Sequence, residues 1–288
     1  MAGNTAFGKF LAQRLEEDRG VLVPVKASLF ELMFVKKADC RKLHPNPEDE
    51  FCDPNIGPND EIISKYAEMI RKTGNFGDKP LITQKVNPDG YMILNGHHRW
   101  AAALCTGYNP VPISIVNVTQ EKDIERMIQN SKHDKRVTMD LDEVAFCRDD
   151  GMPAERPLCF PYNKMYKERI RQGIPALLLS LGRQGYDIWV YTAEYYSIEY
   201  LRRYFKHYSV KVDGIVTGTA KKGRESPETA KLFANQYVET LHIDNNMILR
   251  TWQDSRNFEE YPVEAEPSVW SRRVMEIIKR IHQEEERQ

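Results

Sequence analysis

The sequence predicts an α/β chain of two domains, a smaller α+β unit followed by a doubly wound parallel sheet. Three observations carry that expectation. The 288 residues amount to about two domains' worth of chain. From Arg136 onward short apolar strands alternate with helical stretches, a pattern that implies right-handed βαβ crossovers. Before that point the order is helix, hairpin, corner, helix and strand, closed by a polar helix and the charged run 132–136. The expected division is therefore 1–130 and 136–288.

The elements follow in order. An amphipathic helix over 6–17 leads into the apolar run 21–35 and then into a turn-rich stretch, 42–59, with four prolines. Ile62, Ile63, Tyr66, Met69 and Ile70 recur at helical spacing, with Asn59 or Asp60 as N-cap and Gly74 just past the end, which predicts a helix over 60–72. Strands at 81–86 and 91–94 flank Asn87-Pro88-Asp89-Gly90, whose Pro and Gly dihedrals favour a hairpin turn. The second strand runs into Asn95-Gly96-His97-His98-Arg99, an Ala-rich helix and a Gly107 stop. A strand over 111–118 and a polar helix over 120–130 complete the first part. In the second, strands at 137–139, 187–191, 214–216 and 240–243 alternate with helices at 175–183, 197–205 and 226–235. A closing helix places Val274, Ile277, Ile278 and Ile281 on one face.

Composition narrows the function classes. Hydrophobic residues at 41% and charged residues at 29% are ordinary globular usage and exclude wholesale disorder. The 41 Lys and Arg nearly cancel the 42 Asp and Glu, so a nucleic-acid partner is possible but is not indicated by charge. The longest apolar stretch, 176–181, is far short of the ~20 residues that cross a bilayer, and no membrane partner is expected. No secretion leader is read at the N-terminus. Five cysteines without a C-x-x-C pair suggest neither a disulfide framework nor a zinc knuckle, and a reducing cytoplasmic location is expected.

Ligands of open α/β sheets bind beyond the carboxyl ends of the strands. Those ends hold Asp140-Leu141-Asp142, Thr192, the pair Lys221-Lys222 and Asp244-Asn245. Gathered at one edge they supply carboxylates, a hydroxyl and an ammonium, a set matched to phosphoryl transfer. Mg²⁺ prefers oxygen ligands from one or two carboxylates plus phosphate and water. Asp142 or Asp244 taken alone would be a helix cap more often than a ligand. The four motifs in this chain order resemble the haloacid-dehalogenase-like (HAD) phosphohydrolase superfamily, over roughly 136 to the C-terminus. That resemblance implies Asp140 as the nucleophile forming an aspartyl-phosphate and Asp142 as general acid and then base. It implies Thr192 and a lysine, either Lys221 or Lys222 with Lys222 taken, as holders of the phosphoryl oxygens. Mg²⁺ would sit at Asp140, Asp142 and Asp244, with Asn245, the second residue of the last motif, as a further ligand. The roughly thirty residues after Asp142 leave room for a small cap or none.

In the first domain, Gly96 permits close approach to a helix start whose N–H groups point outward, Asn95 is a candidate cap, and His97, His98 and Arg99 stand in the first turn. This suits a phosphate or polyphosphate. With the flanking strands and the Pro45-Asn46-Pro47 run, the corner resembles the ParB/sulfiredoxin-like nucleotide-binding fold over roughly 34–118. Sulfiredoxins carry a cysteine where His97 stands. The Gly-His-His-Arg form is most similar to the ParB-related free-serine kinases, which implies ATP, ADP or CTP as ligand; Glu48, Asp49 and Glu50 are candidate acids.

The leading expectation is a hydrolase: a Mg²⁺-dependent phosphatase with an N-terminal nucleotide-binding domain, acting on a phosphorylated substrate of unspecified class. The alternatives are a bifunctional small-molecule kinase and phosphatase, and a non-catalytic nucleotide-sensing or nucleic-acid-associated regulator.

Overall fold

The computed structural model describes residues 6–147, 151–218, 227–253 and 257–285. The chain divides into two compact units, Met1–Asn117 and Val118–Gln288.

The first unit runs α1 (Ala6–Asp18), β1 (Val23–Pro24), α2 (Leu29–Leu32), β2 (Lys36–Ala38), β3 (Leu43–Pro45), α3 (Asp60–Thr73), β4 (Leu81–Asn87), β5 (Tyr91–Asn95), α4 (His97–Thr106) and β6 (Val111–Ile115). Its sheet has the order β2-β6-β4-β5-β3, with β1 added on β4. The β4–β5 hairpin is antiparallel, whereas β6 on β4 and β3 on β5 are parallel. Asn59 caps α3 by accepting from the amides of Glu61 and Ile62 at 3.0 and 3.1 Å, and Gly74 ends it at φ +64°. The core gathers Leu43, Phe51, Leu81, Ile93, Trp100 and the alanines at 101–103, all essentially out of water. Small side chains on α4 let it pack closely against α3.

The second unit runs α5 (Glu121–Gln129), β7 (Lys135–Asp140), α6 (Tyr162–Met165), α7 (Ile174–Arg183), β8 (Tyr186–Tyr191), α8 (Ile198–His207), β9 (Gly214–Val216), α9 (Pro227–Gln236), β10 (Glu239–Ile243), β11 (Met247–Trp252), β12 (Phe258–Pro262) and α10 (Trp270–Glu285). Its strand order is β12-β11-β10-β7-β8-β9. β10, β7, β8 and β9 are mutually parallel. The expected doubly wound order thus appears, but the sheet is mixed, because β11 and β12 add antiparallel. The reason is loop length: only residues 244–246 join β10 to β11, and a parallel crossover needs about a dozen. Val274, Ile277, Ile278 and Ile281 of α10 are all fully buried against this sheet's core.

The sequence reading puts the boundary after residue 130, whereas the structure divides at Asn117 and Val118. Helix α5 belongs with the second unit because its apolar face, Ile124, Met127 and Ile128, packs on Trp189, Val216 and Phe233. The Ile215 amide also reaches Met127 Sδ at 3.4 Å. Burial, not charge, places the division.

Candidate functional site

The strand order fixes where a site can lie. From β7 the chain winds to β8 and β9 on one side, then returns to β10 on the other. A topological switch point therefore opens beyond the carboxyl ends of β7 and β10. Asp140 ends β7, and its Oδ1 accepts from the Glu143 amide at 2.7 Å, capping the π-helical turn Leu141–Ala145. Asp142, inside that turn, is gripped from β8. Thr192 Oγ1 donates to its two carboxylate oxygens at 2.8 and 2.9 Å, and the Ala193 amide donates to Oδ2 at 2.8 Å. Thr192 is buried, and its own amide donates to the Val216 carbonyl at 2.9 Å. Strands β7, β8 and β9 are thereby laced together at the edge where phosphoryl chemistry is expected.

Asp244 follows β10 and is exposed, its carboxylate accepting from the Asn245 amide at 2.6 Å. Asn245 itself is a bracket. Its amide nitrogen donates to the Glu143 carbonyl at 2.7 Å, its amide oxygen accepts from Arg171 at 2.9 Å, and its carbonyl accepts from Trp270 Nε1 at 2.6 Å. This corrects the expectation of Asn245 as a metal ligand, since its side-chain oxygen serves a buried guanidinium. The Thr192 hydroxyl, expected to hold a phosphoryl oxygen, donates to the Asp142 carboxylate. Among the described residues no three His, Cys, Asp or Glu side chains gather to hold a metal ion. The carboxylates that stand at this edge are Asp140, ending β7, and Asp244, following β10. Lys221 and Lys222 lie outside the described residues.

Arg171 is the site-edge residue that the sequence did not reveal. It is 4% exposed, stacks on Trp270 at 4.1 Å and has its pKa lowered by burial. Its amide also donates to the Ala145 carbonyl, so it braces the far side of the turn that carries Asp142. A single arginine in a loop of mixed charge carries no periodic signal.

In the first unit, the N-cap of α4 is Gly96 at φ +103°, which has no side chain to cap the helix, and not the expected Asn95. A Cβ at Gly96 would stand 2.5 Å from Leu81 Cδ2 and 2.9 Å from Arg99 Nη2. The two histidines face inward. His97 Nε2 accepts from the Asn46 amide at 3.1 Å, its ring stacks on Phe51, and burial pulls its pKa from 6.5 to about 4, against a smaller opposing pull from Asp49. His98 Nε2 accepts from the Asn59 amide at 3.2 Å, and burial lowers its pKa as well. Arg99 donates to the carbonyls of Lys79 and Pro80 and lies over Phe76. The two imidazoles and the guanidinium expected to meet a polyphosphate are thus each engaged with the protein's own backbone. Neutral imidazoles used as acceptors tie the helix start to the segments before α3, and the guanidinium ties it to the one before β4. The first N–H groups of α4 have no partner within the helix.

Residues 34–132 match the ParB N-terminal domain family. The first unit is ParB-like. Two ATP-dependent L-serine kinases are similar to parts of the chain. That of Staphylothermus marinus is 34% identical over 68 residues, covering 22% of this chain and 27% of that protein. That of Desulfurococcus mucosus is 34% identical over 59 residues, covering 20% and 23%. The chain thus spans about a quarter of the length of either kinase. A solved structure, the C-terminally truncated chromosome-partitioning protein ParB of Caulobacter crescentus complexed with CTP-gamma-S, is 24% identical, with a TM-score of 0.25, over 35% of this chain and 56% of that one. The family match begins at Phe34, inside the ParB-like unit, and runs on through α5.

Proposed function

We propose that the chain is a Mg²⁺-dependent phosphohydrolase whose second unit works through an aspartyl-phosphate, and that its ParB-like unit binds a nucleotide. One observation carries the hydrolase reading: Asp140 ends β7 at the switch point of the sheet, and Asp142, two residues on, is held from the end of β8 by the Thr192 hydroxyl and the Ala193 amide. The resemblance of these motifs to the HAD-like superfamily supports it.

The chemistry follows from the placement. With one oxygen steered by the Glu143 amide, the Asp140 carboxylate attacks phosphorus. The new bond from the Asp140 oxygen to phosphorus forms as the ester bond breaks, and the leaving oxygen takes a proton from Asp142. Water then attacks the same phosphorus, gives its proton to Asp142, and the acyl-phosphate bond breaks to release inorganic phosphate and restore both acids. Thr192 and Ala193 are positioning groups that fix the plane of the Asp142 carboxyl. The donor set at this edge is all oxygen, as Mg²⁺ requires, and Asp140, Asp244 and the Asp142 carbonyl would hold it. When bound, the ion would supply positive charge that offsets the repulsion of carboxylates and phosphate. Hydrolysis of an aryl phosphate with Mg²⁺ and with EDTA is the test, and an inactive Mg²⁺-loaded chain would sink the reading.

A second reading is favoured by the similarity to two serine kinases. Here the ParB-like unit transfers phosphate from a nucleotide to a small hydroxyl compound, and the chain is a kinase and a phosphatase together. The start of α4, framed by Gly96, His97, His98 and Arg99, is the anion-facing element of that unit. Calorimetry of the full chain with ATP, ADP and CTP tests nucleotide binding, and transfer of labelled phosphate to free serine separates kinase from sensor.

A further inference from the structure

A ladder of tyrosines starts beside Asp142. Tyr196, Tyr200, Tyr204 and Tyr208 recur every fourth residue, from the loop after β8 down one face of α8. Tyr196 and Tyr200 stack at 5.8 Å with 12° between their planes, and Tyr166 meets Tyr200 at 4.9 Å. His207 continues the ladder, 5.3 Å from Tyr166 and 4.0 Å from Tyr162. Two hydroxyls fasten the 162–169 segment onto α8: Tyr200 donates to the Glu168 carboxylate at 2.5 Å and Tyr204 to the Glu168 carbonyl at 3.1 Å. The inner end lies close to the site. Burial raises the Tyr196 pKa, and Glu168, followed by the charge of Asp142, adds to the rise.

At its outer end the ladder opens to water. Phe160 is 79% exposed, Met165 47% and Tyr162 41%. Large apolar side chains side by side at such exposure are unusual on a surface with no partner. The cations nearby are exposed as well: Lys164, Lys167 and Arg169 on one segment, Arg202, Arg203 and Lys206 on the other. Against them these two segments hold Glu168, already bound by Tyr200, and Glu199. A chain of net charge −1 thus concentrates positive charge around exposed rings.

We propose that this surface takes a single-stranded nucleic acid and delivers its terminal phosphate to Asp140. The proposal rests on the phosphohydrolase reading for its second half. Open ring faces accept unstacked bases whatever their sequence, while Lys and Arg follow the backbone phosphates. A duplex keeps its base faces covered, and an acidic peptide would use the cations and leave the rings idle.

The test uses the full chain and fluorescein-labelled dT12 lacking a terminal phosphate, read by anisotropy over a salt series. We expect binding that weakens steeply with salt. Phe160→Ala with Tyr162→Ala should weaken it by about 10-fold or more. Arg202→Ala with Lys206→Ala should weaken it and flatten the salt slope. All four positions are exposed, and unchanged melting shows that the variants fold. Hydrolysis of p-nitrophenyl phosphate should stay within about twofold of wild type in both, since neither pair touches the acids at the switch point. Terminally phosphorylated dT12 should be a better substrate than p-nitrophenyl phosphate by at least about 10-fold in kcat/KM, and to lose that advantage in the ring variant. Failure of wild type to bind dT12, equal binding of polyglutamate, or full binding by the ring variant would each overturn the nucleic-acid surface. Hydrolysis of the aryl phosphate but not of the oligonucleotide end would overturn the delivery. If dT12 binds as expected while no phosphate ester is cleaved, the surface stands and the phosphohydrolase reading falls.

Discussion

His97 shows most directly what burial does to a single side chain. It is 3% exposed, and the Asn46 amide pointing at Nε2 requires a lone pair there, which puts the ring proton on Nδ1, 3.5 Å from Asp49. Its pKa near 4 lies below the 6.5 of an exposed imidazole, with burial as the leading cause. The unfolded chain therefore binds this proton first as pH falls, so stability is complete above about 6.5 and is lost between there and about 4. His242 in the second unit is lowered in the same way and adds loss over the same window. Urea unfolding from pH 7.5 to 4.5 should show a falling midpoint, and His97→Gln should shallow the fall, because a neutral amide oxygen can accept from Asn46 without titrating. An unchanged slope in that variant would remove His97 from the account. Thr192 makes the complementary case at the other site. Thr192→Val keeps the shape and deletes the O–H donor to Asp142, so kcat for an alkyl phosphate should drop by about 10- to 100-fold with KM little changed, the range expected for losing a hydrogen bond to a charged group. Thr192→Ser should restore most of it. A valine variant at wild-type rate would leave Thr192 as packing.

Helix α4 is bounded by two glycines in left-handed backbone, Gly96 at φ +103° and Gly107 at φ +71°. They separate strain from collision. A Cβ at Gly107 meets nothing within 4 Å, whereas one at Gly96 meets Leu81 and Arg99 closer than real contacts allow. Gly107→Ala should cost about 1–2 kcal/mol, the price of the conformation alone. Gly96→Ala should cost that and a further ~1–3 kcal/mol from displaced core. Chemical unfolding of both variants checks the ordering, and equal losses would contradict it. Elements like α4 and α3 were legible because caps, stops and apolar spacing agree at each end: the expected 60–72 falls one residue short of the observed Asp60–Thr73. The hairpin was legible for the same reason, since Pro88 and Gly90 punctuate two apolar runs. β3 was not, because three residues ending in Pro45 look like loop until β5 pairs with them. β11 was hidden by Arg250, which reads as a surface residue but is buried against Glu239 through two 3.2 Å contacts. Only the partner strand makes that arginine an inward residue.

Across the whole chain, what could be read from the sequence was the order of motifs and the edge they occupy; what could not be read was which groups spend themselves on one another. Asp140, Asp142, Thr192 and Asp244 lie beyond the ends of adjacent strands, as strand-end reasoning requires, yet Thr192 serves Asp142 and Asn245 serves Arg171. Those pairings join residues some fifty and seventy-four positions apart, and no local pattern encodes them. The division into two units, each with its own core, leads to the final prediction. Substitutions in separately cored units are expected to act independently. Asp140→Asn should reduce phosphate-ester hydrolysis by ~10⁴-fold or more, the scale seen when a covalent nucleophile is removed. The same variant should bind ATP, ADP or CTP with the affinity of wild type, because the proposed nucleotide site belongs to the ParB-like unit and Asp140 to the second unit. Conversely, Arg99→Ala, which releases the carbonyls of Lys79 and Pro80 beside the start of α4, should weaken nucleotide binding and leave aryl phosphate hydrolysis intact. Both variants are to be measured in the full chain by calorimetry and by phosphate release. Loss of nucleotide binding in Asp140→Asn, or of hydrolysis in Arg99→Ala, would show that the two chemistries share one site and would end the two-site account.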